Sequence, residues 1–233
     1  MNHLKSRSAL KIIMTCFLFF YPLYVGAAAA DSSQKALFSP DFRFADGVFF
    51  SFEQVKLNEP VAKSRILTNT SFNDRDFFTD VTNQQSISFY DNAGAARKIS
   101  VDKVWGYADN GRLYIQLHGV FSRITVVGAG CHFVALHTSY SSNYDPYMYG
   151  TYGYGYQPQV INKNTELRQY LLDFSTGKIY DYNYNSLEVL LMNDPELHDE
   201  FVKLRKRKKK QLKFYYLRKY NERNPVYIPT NKK

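Results

Sequence analysis

The sequence predicts an α+β fold: an antiparallel β-meander, either a twisted sheet or a partly open barrel, with C-terminal helices packed on one side. Three observations carry this expectation. From Ser86 onward apolar residues recur at every second position in short runs, the pattern of strands with one buried face. The runs are joined by tight turn signals, Asp91-Asn92-Ala93-Gly94, Asp109-Asn110-Gly111 and Ser175-Thr176-Gly177, and such short connections favour antiparallel neighbours. After Asn185 the spacing changes to three and four, the period of an amphipathic helix.

In chain order, Lys5, Arg7 and Lys11 lead into an apolar run from Ile12 to Gly26 that ends in Ala27, Ala28, Ala29 and Ala30. A basic start, an apolar middle and a small-residue end make residues 1–30 a signal peptide. Cleavage is expected after Ala30, and with it export to the periplasm or cell envelope of a Gram-negative bacterium. The competing reading is an uncleaved N-terminal membrane anchor, since 19 residues from Ile12 to Ala30 approach the ~20 that span a bilayer. Pro22 and the alanine run make that span a poor one. A lipid anchor on Cys16 fits worse, because Ile13, Met14 and Thr15 are poor lipobox residues and the apolar run continues beyond them.

Residues 31–45 read as a flexible leader and 46–184 as the antiparallel β domain. Val48-Phe49-Phe50 is a short strand, and Ser51 with Gln54 has capping-box spacing for a short helix closed by Pro60. Ile66-Leu67 is a weak strand, and 69–85, rich in Asn, Asp, Thr and Gln, reads as loop. Strands follow at 86–90, 98–101, 104–107, 112–117, 121–127, 131–138, 167–174 and 178–182. Residues 185–225 read as C-terminal helices with a basic face, and 226–233 as a tail. Asn185 or Ser186 is the expected cap of the first helix. Asp194-Pro195-Glu196 opens the second with a capping Asp, a proline at the first helical position and an acid suited to the helix dipole. Whether 195–223 is one helix or two stays open, with a break favoured near Lys208 to Lys210, where like charges crowd.

The net charge of +9 hides a split. Residues 31–200 hold 14 basic against 20 acidic residues, whereas 201–233 hold 13 against one. The density peaks at Arg205, Lys206, Arg207, Lys208, Lys209 and Lys210, a candidate contact for an anionic partner such as lipid headgroups or lipopolysaccharide phosphate. The commoner use of such a run is a solvated helix face. Export disfavours nucleic acid as a partner.

The second candidate contact is a loop over 140–158 carrying Tyr144, Tyr147, Tyr149, Tyr152, Tyr154 and Tyr156 among Gly, Pro, Asp and Ser. Tyrosine couples rigid apolar area to a hydroxyl, which suits a ligand or partner surface, sugar rings included. A self-packed loop is the plainer alternative.

Chemistry-bearing patterns are sparse. His132 and His137 have opposite strand parity, and Cys131 lies about 20 Å from His137 along an extended strand, so no metal site is expected from them. Gly128-Ala129-Gly130 lacks the third glycine and the following helix of a dinucleotide fingerprint, so no cofactor is expected and the segment reads as a turn or bulge. After removal of 1–30, Cys131 is the only cysteine, which excludes an intrachain disulfide; within Ile124 to Leu136 it reads as a small buried hydrophobe. Asp102 and Asp109 are indistinguishable from surface acids, and Trp105 reads as core.

Several stretches resemble one family: Asp46-Gly47-Val48-Phe49-Phe50-Ser51-Phe52-Glu53, Val104-Trp105-Gly106-Tyr107, Leu167 to Phe174, Leu187 to Met192, and Tyr220-Asn221-Glu222-Arg223-Asn224-Pro225. Together, over residues 46–229, they resemble a group of exported proteins of unknown function from Bacteroidetes-type Gram-negative bacteria. The resemblance implies an envelope setting and carries over no catalytic residue. The function expected is a non-enzymatic envelope binding or assembly protein whose partner is an envelope protein, a glycan or an anionic lipid surface. The alternatives are association with an anionic membrane or lipopolysaccharide through the basic helix, and an enzyme of unfamiliar type.

Overall fold

The structure is a computed structural model that describes residues 34–142 and 161–230. Its strands are β1 (Lys35–Leu37), β2 (Gly47–Phe49), β3 (Val61–Ala62), β4 (Ile66–Leu67), β5 (Ser86–Tyr90), β6 (Ala96–Ser100), β7 (Gly106–Asp109), β8 (Arg112–Leu117), β9 (Val120–Val126), β10 (Gly130–Ser142), β11 (Ile161–Asp173), β12 (Ile179–Asp181) and β13 (Tyr227–Pro229). Its helices are α1 (Phe52–Leu57), α2 (Phe77–Thr82), α3 (Tyr184–Leu191), α4 (Pro195–Val202), α5 (Lys206–Gln211) and α6 (Lys213–Arg223).

An open antiparallel sheet of eight strands, ordered β12-β11-β10-β9-β8-β7-β2-β3, forms the spine. Six of its strands, β7 to β12, follow one another directly, so the predicted α+β meander is the fold and the sheet stays open rather than closing into a barrel. Asn110 (φ 50°) and Gly111 (φ 70°) make a two-residue turn between Asp109 and Arg112, where positive φ matches the twist of the flanking strands.

Strand parity sends residues to two faces. Phe49, Ala108, Leu113, Ile115, Ile124, Cys131, Phe133, Tyr170 and Leu172 share one core with Val55 of α1, Phe174 and Ile228. The opposite face is covered at its two ends. At the β11 end Leu171 meets Leu187, Leu190, Leu197, Phe201 and Leu217 from the C-terminal helices. At the β2 end Val48 and Tyr107 meet Phe77, Phe78 and Val81 of α2 and Ile87 of the small sheet β4-β5-β6.

The leader differs from its reading as flexible. Over its described residues, β1 pairs with β13, and Phe38, Phe42 and Phe44 are buried in mutual edge-to-face contacts. Apolar residues at every fourth and second position in a polar segment were too few to show a period, and the partner strand lies almost two hundred positions away, inside what read as a tail. The loop expected over 69–85 contains α2. Its six residues are too short to display periodicity, and it is held by burial of Phe77, Phe78 and Val81.

Helix starts follow their caps. The Ser51 hydroxyl accepts the Gln54 N–H (3.3 Å), while the Gln54 side-chain oxygen accepts the Phe50 N–H (2.6 Å). Asp194 accepts the Leu197 N–H (3.2 Å), with Pro195 in the first turn. The cap of α3 is Asn183, two or three residues before the expected Asn185 or Ser186, and it accepts from the N–H groups of both. Residues 195–223 form three helices, and α5 runs unbroken through Lys208 to Lys210. The breaks fall beside Leu204 and Leu212, which turn inward to the helical core, so apolar anchoring outweighs repulsion between solvated lysines.

The sheet and helices are locked together by Asn221. Its Oδ1 accepts the Gly130 N–H (2.7 Å), and its Nδ2 donates to the carbonyls of Gly130 (2.9 Å) and Val127 (3.3 Å). A Cβ on Gly128 would lie 2.5 Å from the Asn221 side chain, and one on Gly130 would lie 2.6 Å from Leu190. The Gly128-Ala129-Gly130 segment is thus the bend expected, and its glycines admit α6. Asn221→Ala leaves those inward backbone groups unpaired and should cost about 2–3 kcal/mol, read as a lower urea midpoint with an unchanged denaturant slope.

Candidate functional site

The predicted contact residues divide sharply. Tyr144, Tyr147, Tyr149, Tyr152, Tyr154 and Tyr156 lie outside the described residues. What the structure describes is the base from which they spring: β10 and β11 pair over thirteen residues each, from Gly130 with Asp173 to Ser142 with Ile161.

That hairpin is clad unevenly. On one face Cys131, Phe133 and Ala135 are buried. On the other, the helices cover His132 and Leu171 and then stop. Beyond them Val134, Leu136, Tyr140 and Leu167 are exposed, Tyr140 at 68% and Leu167 at 72%. Leu136 and Leu167 are direct cross-strand partners, so they form one apolar patch. Strand β12 pairs with Tyr170, Leu171 and Leu172. Among the described residues, no strand pairs with the outer edge of β11 over 161–168, and unpaired edges with apolar side chains invite contact.

The basic run is only partly available. Arg205 precedes α5 at its N-cap position, makes no side-chain capping bond and is exposed, as are Lys206, Arg207, Lys208 and Lys210. Lys209 points inward: its Nζ donates to Glu188 (2.7 Å) and sits over the Phe201 ring (5.4 Å). It fastens α5 to α3 and α4. In the first turn of α6, Tyr215 is exposed, whereas Phe214, exposed in part, packs on His132 and Tyr182.

A third feature was not singled out from sequence. A cavity of about 330 Å³ opens between α2 and the β7–β8 hairpin, lined by Arg75, Asp76, Thr79, Tyr107, Asp109, Asn110 and Tyr114 over Phe78. The rings of Phe78, Tyr107 and Tyr114 stack in sequence, 5.1 and 4.7 Å apart and 13° from parallel in each pair. Burial, then the neighbouring Tyr114 and Asp109, push the Tyr107 hydroxyl up to about 12 against the opposing hydrogen bond with Thr79, so it stays protonated. Asp109 lies 3.6 Å from Lys63. These polar residues looked like ordinary turn and loop residues because the cleft joins segments some thirty positions apart.

The reactive types are used structurally. The Cys131 thiol is wholly buried, donates to the Gly128 carbonyl (3.3 Å) and is pushed up to about 12 by that burial. Thiolate chemistry is therefore suppressed at neutral pH. His132 lies between Thr125 and Gln169 (Nδ1–Oγ1 3.3 Å, Nε2–Oε1 3.1 Å) and edge-on to Tyr182 and Phe214. Burial holds it below the ordinary histidine range, with the Lys213 charge adding, against the pull of Gln169. Trp105 is half-buried against Phe52 on the first core. Among the described residues no three His, Cys, Asp or Glu side chains converge as metal ligands, and no helix is long and apolar enough to cross a membrane.

Arg223 completes the C-terminal architecture. It clamps Asp194 through two hydrogen bonds (2.6 and 3.0 Å) and reaches Glu196 (2.6 Å). With Tyr220 buried and Asn221 on the bend, Tyr220 to Asn224 is a fastening between α6, α4 and the sheet.

The class is thus an α+β protein built on an open antiparallel meander with its C-terminal helices over one end of one face. The chain belongs to a family of unknown function, DUF6563, which matches residues 47–224. The match starts on the first residue of β2 and ends on the residue that closes α6, spanning the sheet, the cleft, the hairpin and the fastening residues. No curated protein and no solved structure matches the chain.

The Arg223 hydrogen bonds, with help from the Leu197 N–H and Asn224, hold the Asp194 carboxyl below the ordinary carboxylate range. A folded-state pKa below the unfolded value near 4 means stability that is present above that value and lost as pH falls through the folded one. Asp194→Asn should therefore lower the urea midpoint at pH 7 far more than at pH 3, flattening the acid limb of the stability profile.

Proposed function

We propose that this protein is a non-enzymatic binding or assembly protein of the cell envelope, exported by its N-terminal signal segment, that works through contact. The observation that carries the reading is the exposed cross-strand pair Leu136 and Leu167, with Val134 next to Leu136 on the same strand face, on a hairpin whose tip joins the tyrosine-rich stretch. Exposed contiguous apolar surface on a folded domain marks an interaction site. The burial of Cys131 and enclosure of His132 support contact over turnover, since both groups are spent on packing.

The test is fractionation of the native cell followed by affinity capture on the full chain. The protein should appear in the envelope fraction with its N-terminus at Asp31. Leu136→Ser combined with Leu167→Ser should release captured partners with at most a modest drop in the urea midpoint, because Leu167 is 72% and Leu136 42% exposed. Undiminished capture by that variant, or cytosolic protein retaining Met1, overturns the reading.

A second reading is favoured by one observation: five cations from Arg205 to Lys210 are exposed, which suits the surface of an anionic bilayer. Binding to phosphatidylglycerol vesicles should fall steeply as salt rises and weaken when Lys206, Arg207 and Lys210 become Gln. Salt-independent binding, or none, removes this reading.

A further inference from the structure

We propose that His118 and His137 form a two-histidine site for a divalent transition-metal ion of the imidazole-binding kind, such as zinc(II). This goes beyond the contact role above and does not depend on it, because neither export nor the hairpin patch enters the argument. The pair also differs from the combination of Cys131, His132 and His137 weighed from sequence spacing, since its second member comes from another turn of the meander.

The first argument is separation. The ring centres of His118 and His137 lie 5.5 Å apart, with their planes inclined by 78°. Two imidazoles that each place a nitrogen about 2 Å from one cation have ring centres about 4.5–6 Å apart, so the pair stands at a chelating separation. Two hairpins bring it together. Leu117 pairs with Val120 around the His118-Gly119 turn, and Phe133 pairs with Ile124. That second register, carried four residues along, sets His137 beside Val120, the first residue after the turn. His118 is exposed and His137 half-buried, so an ion reaches both from solvent and the His118 ring is free to turn toward it.

The second argument is that the ligating atoms are spare and one of them is aimed. Among the described residues, both ring nitrogens of His118 and Nε2 of His137 have no hydrogen-bond partner, whereas His132 spends both nitrogens on Thr125 and Gln169. The Nδ1 of His137 lies 3.4 Å from the Tyr170 hydroxyl oxygen. Tyr170 is itself buried and stacked on Phe133, 5.4 Å between ring centres. An Nδ1–H donated to that oxygen leaves the lone pair on Nε2, and an outer oxygen in this place orients a ligating histidine. Glu166, the cross-strand partner of His137, is held by Arg168 (2.6 Å). It neutralises that guanidinium beside the site, and the remaining positions on the metal fall to water.

The third argument is the turn itself. Among the described residues, three other than glycine take positive φ: Asn58, Asn110 and His118, the last at 52°. Asparagine visits the left-handed region readily, and Asn110-Gly111 uses it in the equivalent turn between β7 and β8. The His118-Gly119 turn, with Gly119 at φ 79°, has the same backbone requirement but carries an imidazole that forms no hydrogen bond within it. Asparagine would serve the turn equally well; only histidine serves a metal.

The experiment is calorimetric titration of the untagged full chain, stripped with chelator, using zinc chloride, with magnesium chloride as the hard-cation control. Zinc should bind saturably, one ion per chain, and magnesium should not compete. On the unaltered protein, the ring-proton NMR signals of His118 and His137 should move together with added zinc while those of His132 and His198 stay in place. His118→Asn keeps the left-handed turn, so its fold should persist. It and His137→Gln should each weaken zinc binding about ten-fold or more, at least the share that an outer-shell partner carries. Combining the two should cost little beyond either alone, because a lone imidazole does not chelate. His198→Gln should change nothing. Absence of saturable zinc binding, competition by magnesium, zinc-induced shifts that spare either ring, or undiminished binding in either histidine variant overturns the proposal.

Discussion

An open eight-stranded sheet has two apolar faces, and covering them is the constraint on which the rest of this structure depends. Buried side chains alternate along β7 to β11, so each face demands its own layer. One face is closed by the leader phenylalanines, α1 and β13. The other is closed from its ends, by the C-terminal helices over β10 and β11 and by α2 with the small sheet over β2 and β7. The cleft and the hairpin patch lie where this covering is incomplete. The cleft opens where α2 meets the β7–β8 turn, and the apolar hairpin patch begins where the helices end.

The covering layer over β10 and β11 is secured by few, directional contacts. Asn221 satisfies three backbone groups at the Gly128-Ala129-Gly130 bend, and Arg223 ties the end of α6 to the capping residue of α4. Hydrogen bonds of this kind select one arrangement of helices on a sheet where apolar packing alone would tolerate several. The run Tyr220 to Asn224, distinctive in the sequence yet without evident chemistry, has its explanation here. The basic run obeys the same logic in part. Lys209 is committed to Glu188 and Phe201, and its neighbours on α5 remain in solvent, so a six-residue sequence cluster contributes a smaller free surface than its composition implies.

The strands from Ser86 to Tyr182, the Ser51 cap and the Asp194-Pro195 helix start were legible because each is a local pattern, a period of two or a capping residue at fixed spacing. The leader and β13 were not, because a three-residue strand has no period and its partner is distant in the chain. Helix α2 was obscured by the Asn and Asp around it. The break positions in 195–223 followed Leu204 and Leu212 rather than the lysine cluster, a choice between packing and repulsion that sequence spacing alone left unresolved. Of the candidate contacts, the exposed part of the basic run was legible from charge. The cleft was not, since Arg75, Thr79, Tyr107 and Asn110 become neighbours only when α2 docks on the hairpin.

By itself, then, the order of residues determined the class of fold, the antiparallel succession of the meander, the helical C-terminal region and the concentration of positive charge there. These rest on short-range physics: steric alternation, turn conformations that demand Asn or Gly, and caps that satisfy free N–H groups. Tertiary structure alone decided that the sheet stays open and which layer covers each face. It also decided which lysine turns inward and where aromatic rings and opposite charges meet in a cleft. Those outcomes depend on burial shared between segments far apart in the chain, and burial is a property of the assembled surfaces.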